Sequence, residues 1–404
     1  MPSIDELLPL GPGKDLPALR ALDPELLARY VADRGNPWWR RRHCVHALEG
    51  RVPQACVPEL IARVKDTGDT GEVRIALLDV LGDRPELLPW VRHEDRWDEK
   101  ASGMPAALLR ARGRLGDLSA VPELSAMAAD PWTRNRQAGE AGLDALAARH
   151  GPATVLALLD EKRPQDRMVR VRTRARAGED VTGALADPDR AVAHLAASLA
   201  DDADRLRSCA ADPDSPVEAA LWAAYALHRL TEDASAAREV WTRLGRPRVE
   251  VDGLDEETRA AIVHAYAPDC RRLSDPRWRI EALVTAPPAP VDVRDQLRRA
   301  AAALTGAGFE HGAPVSVGEH NHQGEGSYWV LPRGEFPVSV STLGRFVTCH
   351  DPDPAVRRTL EAAGFRWFDP AVDDVTVTVT GLCVYFFGSR EPLGAGDLLF
   401  YWQD

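Results

Sequence analysis

The chain has 404 residues, 45% of them hydrophobic and 28% charged, and a formal net charge of −12. A chain of this length buries enough apolar surface to fold without disulfides or metals, and no apolar run reaches the roughly 20 residues that span a bilayer. Residues 1–14 contain Asp5 and Glu6 but no apolar stretch, so we expect no secretory signal and a cytoplasmic location. The charge is about −6 in residues 1–290 and −6 in 291–404, which argues against general polyanion binding.

The sequence contains no recognisable catalytic or cofactor motif. Its six cysteines are widely spaced and form no CxxC pair, which disfavours a zinc knuckle or a redox motif. The motifs of nucleotide-binding loops, zinc proteases and serine hydrolases are also missing from the sequence. We therefore predict no cofactor, and no residue is proposed as catalytic. The 46 arginines against 4 lysines, with abundant Ala, Gly, Pro and Asp, indicate a GC-rich bacterial genome.

Internal repeats are present in the first two thirds of the chain. Val57–Leu60 recurs as Val121–Leu124, 64 residues later, and Leu81–Asp83 recurs as Leu115–Asp117, 34 residues later. A repeat unit of about 32 residues fits both offsets, and such periods are typical of stacked helical hairpins.

Turn signals follow the same period, because Asp or Asn before a helix accepts hydrogen bonds from its free amides and proline is tolerated at the first helical position. These signals are Asn36-Pro37, Asp69–Gly71, Asp130-Pro131, Arg163-Pro164, Asp187-Pro188 and Asp212-Pro213. Over roughly 250 residues the repeats resemble the HEAT-like family known from phycobilisome-lyase-like proteins, which implies an α-solenoid but says little about function.

We predict a mainly α fold with a HEAT-like helical repeat domain over residues 1–286, a proline-rich linker over 287–290 and a small α+β domain over 291–404. The first 285 residues should be almost wholly helical, in hairpins of about 25 to 34 residues. In the last domain, Val293–Leu304 and Pro354–Glu361 have helical patterns, the second capped by Asp353. An antiparallel sheet is predicted from five β-rich stretches: Ser327–Leu331, Phe336–Cys349, Val375–Val379, Leu382–Phe387 and Leu398–Trp402.

The densest aromatic and basic cluster in the chain is Trp38-Trp39-Arg40-Arg41-Arg42. On the inner surface of a solenoid such a cluster could stack bases and neutralise phosphates, as the resemblance to HEAT-like DNA glycosylases implies. The net acidity of the helical part opposes this interpretation, because phosphate neutralisation supplies most nucleic-acid affinity. In the alternative interpretation, Trp38 or Trp39 closes the open end of the first repeat and the arginines are solvated or paired with carboxylates.

Two further segments are candidates for partner contact. Five arginines lie within ten residues, namely Arg167, Arg170, Arg172, Arg174 and Arg176. They form either a basic patch that meets an acidic partner or ion pairs between repeats. The segment from Trp90 to Trp97 is expected to be an exposed loop whose tryptophans add contacts.

The most suggestive stretch for chemistry is Glu319-His320-Asn321-His322, which Gln323–Gly326 follows. Two imidazoles on one strand can chelate a metal ion, and Glu319, Glu325, His311 or His350 could complete such a site. The glycine density predicts instead a polar loop that contacts a partner.

These patterns favour a non-enzymatic protein that recognises another protein through a helical-repeat surface, as a binding adaptor or a toxin-neutralising immunity protein does. One alternative is a HEAT-like DNA glycosylase, and another is a metal-dependent enzyme with its site in the C-terminal domain. We expect a protein partner rather than a nucleic acid or a membrane.

Overall fold

A computed structural model describes residues 4–8, 16–93, 102–130, 132–251, 253–268, 275–350, 353–369, 378–379 and 393–403. Among these residues the protein is mainly helical, with 62% helix and a small C-terminal sheet. It divides into two compact units, Met1–Glu179 and Asp180–Asp404. The linker predicted at residues 287–290 stays a prediction. Within the described ranges, no helix combines the length and hydropathy needed to cross a membrane.

The first unit consists of short helices. They are α1 Ile4–Leu7, α2 Leu16–Arg20, α3 Pro24–Ala32, α4 Trp38–Ala47, α5 Val57–Lys65, α6 Gly71–Leu81, α7 Leu88–Val91, α8 Met104–Arg114, α9 Val121–Ala128, α10 Thr133–His150, α11 Pro152–Leu156 and α12 Pro164–Arg176. The predicted absence of strands is confirmed for the described part of residues 1–285, since the first strand of the chain begins at Val315.

Helix starts follow local capping chemistry. Asp23 accepts a hydrogen bond from the Glu25 amide at the start of α3, where Pro24 occupies the first helical position. The predicted starts at Asn36-Pro37, Asp69–Gly71 and Arg163-Pro164 are confirmed, because α4, α6 and α12 begin at or directly after these signals.

Helices α4, α6 and α8 pack side by side, and polar contacts fix their relative direction. Near their starts, Arg41 of α4 pairs with Asp69, which lies just before α6. Past their ends, Arg84 donates to Gln54 over 2.9 Å. Further along, Arg114 near the end of α8 donates to the carbonyl of Asp79 in the last turns of α6. The three helices therefore run parallel.

Helix α10 continues this row beside α8. A Cβ on Gly113 would lie 2.5 Å from the backbone of Gly142, so the two helices touch where neither has a side chain. Both glycines are the tenth residues of their helices, and His150 at the end of α10 contacts the Gly116 carbonyl beyond α8 over 3.0 Å. The starts of α4, α6, α8 and α10 therefore lie on one edge of the first unit, called here the start edge.

A buried arginine joins consecutive hairpins of this row. Arg41 is only 2% exposed, and its Nε donates to the Val31 carbonyl in the last turn of α3 over 2.8 Å. Its guanidinium also makes two hydrogen bonds with the buried carboxylate of Asp69, at 2.8 and 2.5 Å. Burial alone would raise the pKa of Asp69, but the hydrogen bonds from Arg41 and from the Thr70 amide outweigh it and lower that pKa. The next hairpin repeats the first contact, since Arg74 donates to the Val64 carbonyl at the end of α5 over 2.9 Å.

The second unit begins with helices and ends with strands. Its helices are α13 Arg190–Leu199, α14 Ala203–Ala211, α15 Val217–Thr231, α16 Ser235–Arg243, α17 Glu256–Tyr266, α18 Pro276–Val284, α19 Val293–Gly306, α20 Val317–His320, α21 Pro354–Ala362 and α22 Ala395–Leu399. Helix α15 packs against α13, α14, α16 and α18, and it carries the fully buried Trp222. Predicted helices at Val293–Leu304 and Pro354–Glu361 are confirmed as α19 and α21, and Asp353 caps α21.

The strands of the second unit are short. They are β1 Val315–Ser316, β2 Glu325–Gly326, β3 Tyr328–Leu331, β4 Val338–Ser341, β5 Phe346–Cys349, β6 Arg366–Trp367, β7 Thr378–Val379, β8 Leu393–Gly394 and β9 Trp402–Gln403. Five of them form a sheet in the order β1-β3-β4-β5-β6, and the pairs β2-β9 and β7-β8 stand separately. Side chains of α19 and α21 pack in one hydrophobic cluster with the sheet, including Leu297, Leu331 and Leu360.

The sheet differs from its prediction in three places. The expected antiparallel pairing is confirmed from β1 to β5, whereas β6 pairs parallel to β5 because α21 carries the chain back between them. The single stretch Phe336–Cys349 is two strands joined by a turn. The predicted strand Leu398–Trp402 is wrong for most of its length, since Leu398 and Leu399 end helix α22. Residues 375–377 and 382–387 lie outside the described ranges.

We predict that Arg41→Ala destabilises the folded protein by about 3–5 kcal/mol, because it leaves the Asp69 carboxylate buried without its partner. Arg42 is the matched control, since it is the next residue of α4 but is exposed. Arg42→Ala should change stability by no more than about 0.5 kcal/mol. Urea denaturation of both variants measures the two effects, and equal losses would show that the buried pair contributes nothing specific.

Candidate functional site

The predicted cluster at residues 38–42 lies at the start of α4, and the structure divides it into inward and outward members. Trp38 is 44% exposed, and Arg42 is exposed one helical turn later. Trp39 is half-buried and packs against the core of the first unit. The guanidinium of Arg40 lies over the Trp39 ring, 4.8 Å from its centroid. Only Trp38 and Arg42 of this cluster therefore present an open surface.

The remaining two arginines of the cluster are engaged inside the first unit. Arg41 is buried against Asp69. Arg40 donates to the Leu8 carbonyl over 2.9 Å and pairs with Asp5 at 2.5 Å. The interpretation in which these arginines pair with carboxylates is therefore confirmed for Arg40 and Arg41. Neither guanidinium is available to a phosphate without the loss of these contacts.

Sequence reasoning missed a second exposed tryptophan. Trp132 is 61% exposed and lies directly before α10. Its carbonyl accepts a hydrogen bond from the Arg136 amide in the first turn of this helix. Trp132 follows Asp130-Pro131 as Trp38 follows Asn36-Pro37, so both tryptophans lie at a helix start, Trp38 as the first residue of α4 and Trp132 directly before α10. This recurrence is the signal that could have identified it. Because α4 and α10 are parallel, Trp38 and Trp132 both lie on the start edge.

The segment from Trp90 to Trp97 does not supply the predicted loop contact at its first residue. Trp90 belongs to α7 and is buried, packed in the same core as Leu87 and Val91. The prediction of an exposed Trp90 is therefore wrong, because the short helix turns its ring inward. Trp97 lies outside the described residues.

Most of the arginines at residues 167–176 form ion pairs. Arg172 pairs with Glu140 at 3.0 Å, and Arg176 pairs with Asp144, 32 residues earlier in both cases. Helix α12 is thus tied to α10 at the spacing of one repeat. Weaker pairs join Arg170 to Glu161 and Arg174 to Glu179 at 3.5 and 3.8 Å. The predicted ion pairs between repeats are confirmed for Arg172 and Arg176.

The histidine-containing stretch is a surface turn. His320 is the last residue of α20, and His322 lies two residues beyond with a positive φ of 65°. Glu319, His320 and His322 are all exposed. The alternative that places both histidines on one strand is wrong, because the chain turns between them, in agreement with the predicted polar loop. No group of three or more His, Cys, Asp or Glu side chains placed to hold a metal occurs among the residues that the structure describes.

The shape of this turn is set by close backbone contacts. A Cβ on Gly318 would lie 2.0 Å from the Gly324 carbonyl oxygen. Strand β2, which follows the turn, pairs with β9 near the C-terminus, and the Trp402 indole donates to the Gln323 carbonyl over 3.3 Å. Contacts with β9 and close backbone packing therefore hold the loop in position.

A half-buried histidine in the second unit has the most strongly lowered pKa of any described imidazole. The ring of His194 on α13 stacks on that of Trp222 with centroids 5.0 Å apart, and the Tyr225 ring lies 6.5 Å away. Arg279 of α18 covers Tyr225 and donates to its hydroxyl over 3.1 Å. Burial, and then the positive charge of Arg279, lowers the pKa of His194 from 6.5 to about 4. The imidazole is thus neutral near pH 7.

This titration predicts a loss of stability in acid. The unfolded chain binds a proton at His194 near pH 6.5 and the folded chain only near pH 4, so stability is present above pH 6.5 and is lost as the pH falls to 4. The contribution is up to about 3 kcal/mol. His194→Phe keeps a ring against Trp222 and should flatten the pH dependence of the urea midpoint in this window. An unchanged slope would contradict the assignment to His194.

The loop at residues 317–326 makes a separate prediction. Gly318→Ala should destabilise the protein by about 1–3 kcal/mol, because the added methyl meets the Gly324 carbonyl. Gly306→Ala is the control, since a Cβ there meets nothing within 4 Å, and it should be neutral or stabilising by up to about 1 kcal/mol. His320→Ala, and EDTA added to the wild type, should each leave the melting temperature unchanged. A fall in melting temperature with EDTA would instead indicate a metal site.

No protein-family model matches the chain, no curated protein matches it, and no solved structure matches it. Functional inference therefore rests on the geometry of the chain itself.

Proposed function

We propose that the chain recognises another protein through the surface of a HEAT-like α-solenoid, as a binding adaptor or a toxin-neutralising immunity protein does. The parallel row of α4, α6, α8 and α10, in which each helix packs on the next, supports the solenoid. Such a row buries its apolar seam between neighbours and leaves the start edge open to a partner.

The observation that carries this proposal is the pair of exposed tryptophans. Trp38 and Trp132 are the most exposed tryptophans among the described residues, and each lies at a helix start on the start edge. Three helix spacings of 8–10 Å separate α4 from α10, so the two rings lie up to about 30 Å apart. Tryptophan is among the residues most enriched at the energetic centres of protein interfaces. Two of them on one edge are consistent with an extended partner.

DNA recognition has less support from the same surface. Nucleic-acid affinity grows with the number of phosphates that free cations neutralise. Of the three consecutive arginines near Trp38, two are bound to Asp5 and Asp69. A glycosylase function is therefore not proposed. An enzymatic function in the C-terminal region is not proposed either.

Affinity capture with the full-length chain tests the proposal. We expect the immobilised wild type to retain a specific protein from an extract of the source organism. Trp38→Ala/Trp132→Ala should reduce its recovery at least about tenfold, because truncating an interface tryptophan costs more than 1 kcal/mol. Leu158→Ala is the control, since Leu158 is exposed but lies away from a helix start.

Circular dichroism and thermal melting establish that all variants are folded before capture. Quantitative mass spectrometry then compares recoveries. If the double variant retains the same proteins in the same amounts as the wild type, the start edge is not a recognition surface.

A further inference from the structure

The charge of the chain is distributed very unequally between its two units. Met1–Glu179 contains 28 basic and 27 acidic residues, whereas Asp180–Asp404 contains 22 basic and 35 acidic residues. Within the first unit, the net charge is −3 for residues 1–131 and +4 for residues 132–179. The end of the first unit that contains α10 and α12 is thus cationic in a protein whose net charge is −12.

Trp132 lies at the start of this cationic region. The solvent face of α10 continues from it through Gln137, Ala141 and Ala148, which are all exposed. Arg134 flanks this face in the first turn of α10 and is also exposed. Within the described part of the chain, no hydrogen bond or ion pair joins Arg134 to another residue. Its positive charge is therefore available to a partner.

The opposite flank of the same face is also rich in arginine. Arg172 and Arg176 of α12 reach Glu140 and Asp144 of α10. Burial lowers the pKa of Arg172, and the nearby carboxylate of Glu140 opposes this shift. Glu140 and Asp144 thus pair with the two arginines of α12. Without these two pairs, residues 132–179 still carry a net charge of +4.

We propose that Trp132 and the arginines flanking α10 bind an acidic segment of a partner protein. The indole and the small side chains of α10 accept its apolar groups, and Arg134, in a region with a net charge of +4, accepts its carboxylates. This inference rests on the proposed function and assigns the partner chemistry to one end of the start edge. The end of the start edge that contains Trp38 belongs to residues 1–131, whose net charge is −3.

Charge and geometry favour an acidic peptide over other anionic partners. A nucleic acid needs many free cations along its backbone, whereas Arg172 and Arg176 are already partly neutralised by Glu140 and Asp144. A second copy of this chain is disfavoured because each copy carries −12 and repels the other. A short acidic segment with apolar residues requires only the few charges that this face offers.

The test is selection of a phage-displayed library of random 12-residue peptides on the immobilised full-length chain. We expect enrichment of Asp and Glu together with aromatic or aliphatic residues. The affinity of the best peptide, measured by fluorescence anisotropy, should fall at least about tenfold in Trp132→Ala. With Arg134→Glu the affinity should fall similarly, and a fresh selection should lose its preference for acidic residues.

Arg42→Glu is the matched control, because it makes the same charge reversal at an exposed arginine beside Trp38. It should leave the selected peptides and their affinities unchanged. Selection without an acidic preference, or an equal effect of Arg42→Glu, would overturn the proposal. Tighter binding of a 20-base-pair duplex DNA than of the peptides at 150 mM salt would also overturn it, in favour of nucleic acid. A dimer in light scattering that Arg134→Glu dissociates would assign the surface to a second copy.

These outcomes are separable from those of the capture experiment. If a cellular protein is captured through the tryptophans but the library shows no acidic preference, protein recognition stands and the assigned partner chemistry fails. If neither Trp38 nor Trp132 affects capture, the proposed function itself fails.

Discussion

The packing of this chain depends on arginine side chains that reach carbonyl groups at the ends of neighbouring helices. The last turn of a helix leaves its carbonyls without intrahelical partners, and burial makes this costly. Arg41 and Arg74 each donate to a valine carbonyl in the last turn of the preceding helix, ten residues earlier. Arg259 makes the same ten-residue contact with the Val249 carbonyl, in the segment between α16 and α17. Other arginines reach back about one repeat, including Arg51 to the Leu22 carbonyl and Arg229 to the Ala200 carbonyl. A planar guanidinium with five donors can satisfy a carbonyl and a carboxylate together, which a lysine ammonium does less well. The 46 arginines therefore have a structural use in addition to the genomic composition that they indicate.

Local signals in the sequence were sufficient to predict much of the helical part. Asn36-Pro37 and Arg163-Pro164 mark helix starts through chemistry confined to a few residues. The helix start predicted directly after Asp212-Pro213 was less accurate, since α15 begins only at Val217. The C-terminal part was harder, because short apolar runs do not distinguish strands from buried helices. Leu398 and Leu399 have a strand-like composition, yet they end a five-residue helix against the sheet.

The candidate site was predictable only where exposure follows from position at a helix start. Trp38 and Arg42 were identified from composition, but Arg40 and Arg41 in the same run point to internal carboxylates that lie far away in sequence. Trp90 was misjudged for a related reason, since its burial depends on the packing of α7. Trp132 stands alone in a run without aromatic neighbours, so composition did not reveal it. Only its placement after Asp130-Pro131, compared with Trp38 after Asn36-Pro37, links the two.

The pair formed by Arg41 and Asp69 has a consequence for how the first unit unfolds. Repeat arrays often lose their hairpins one at a time, because each hairpin contacts only its neighbours. Here Arg41 belongs to one hairpin and Asp69 to the turn before α6 in the next. Fraying of either hairpin alone would leave a charge of the other buried and unpaired, at a cost of several kcal/mol. The two hairpins are therefore expected to open together, so that local fluctuations at this point of the array are suppressed and the first tryptophan is presented on a rigid support.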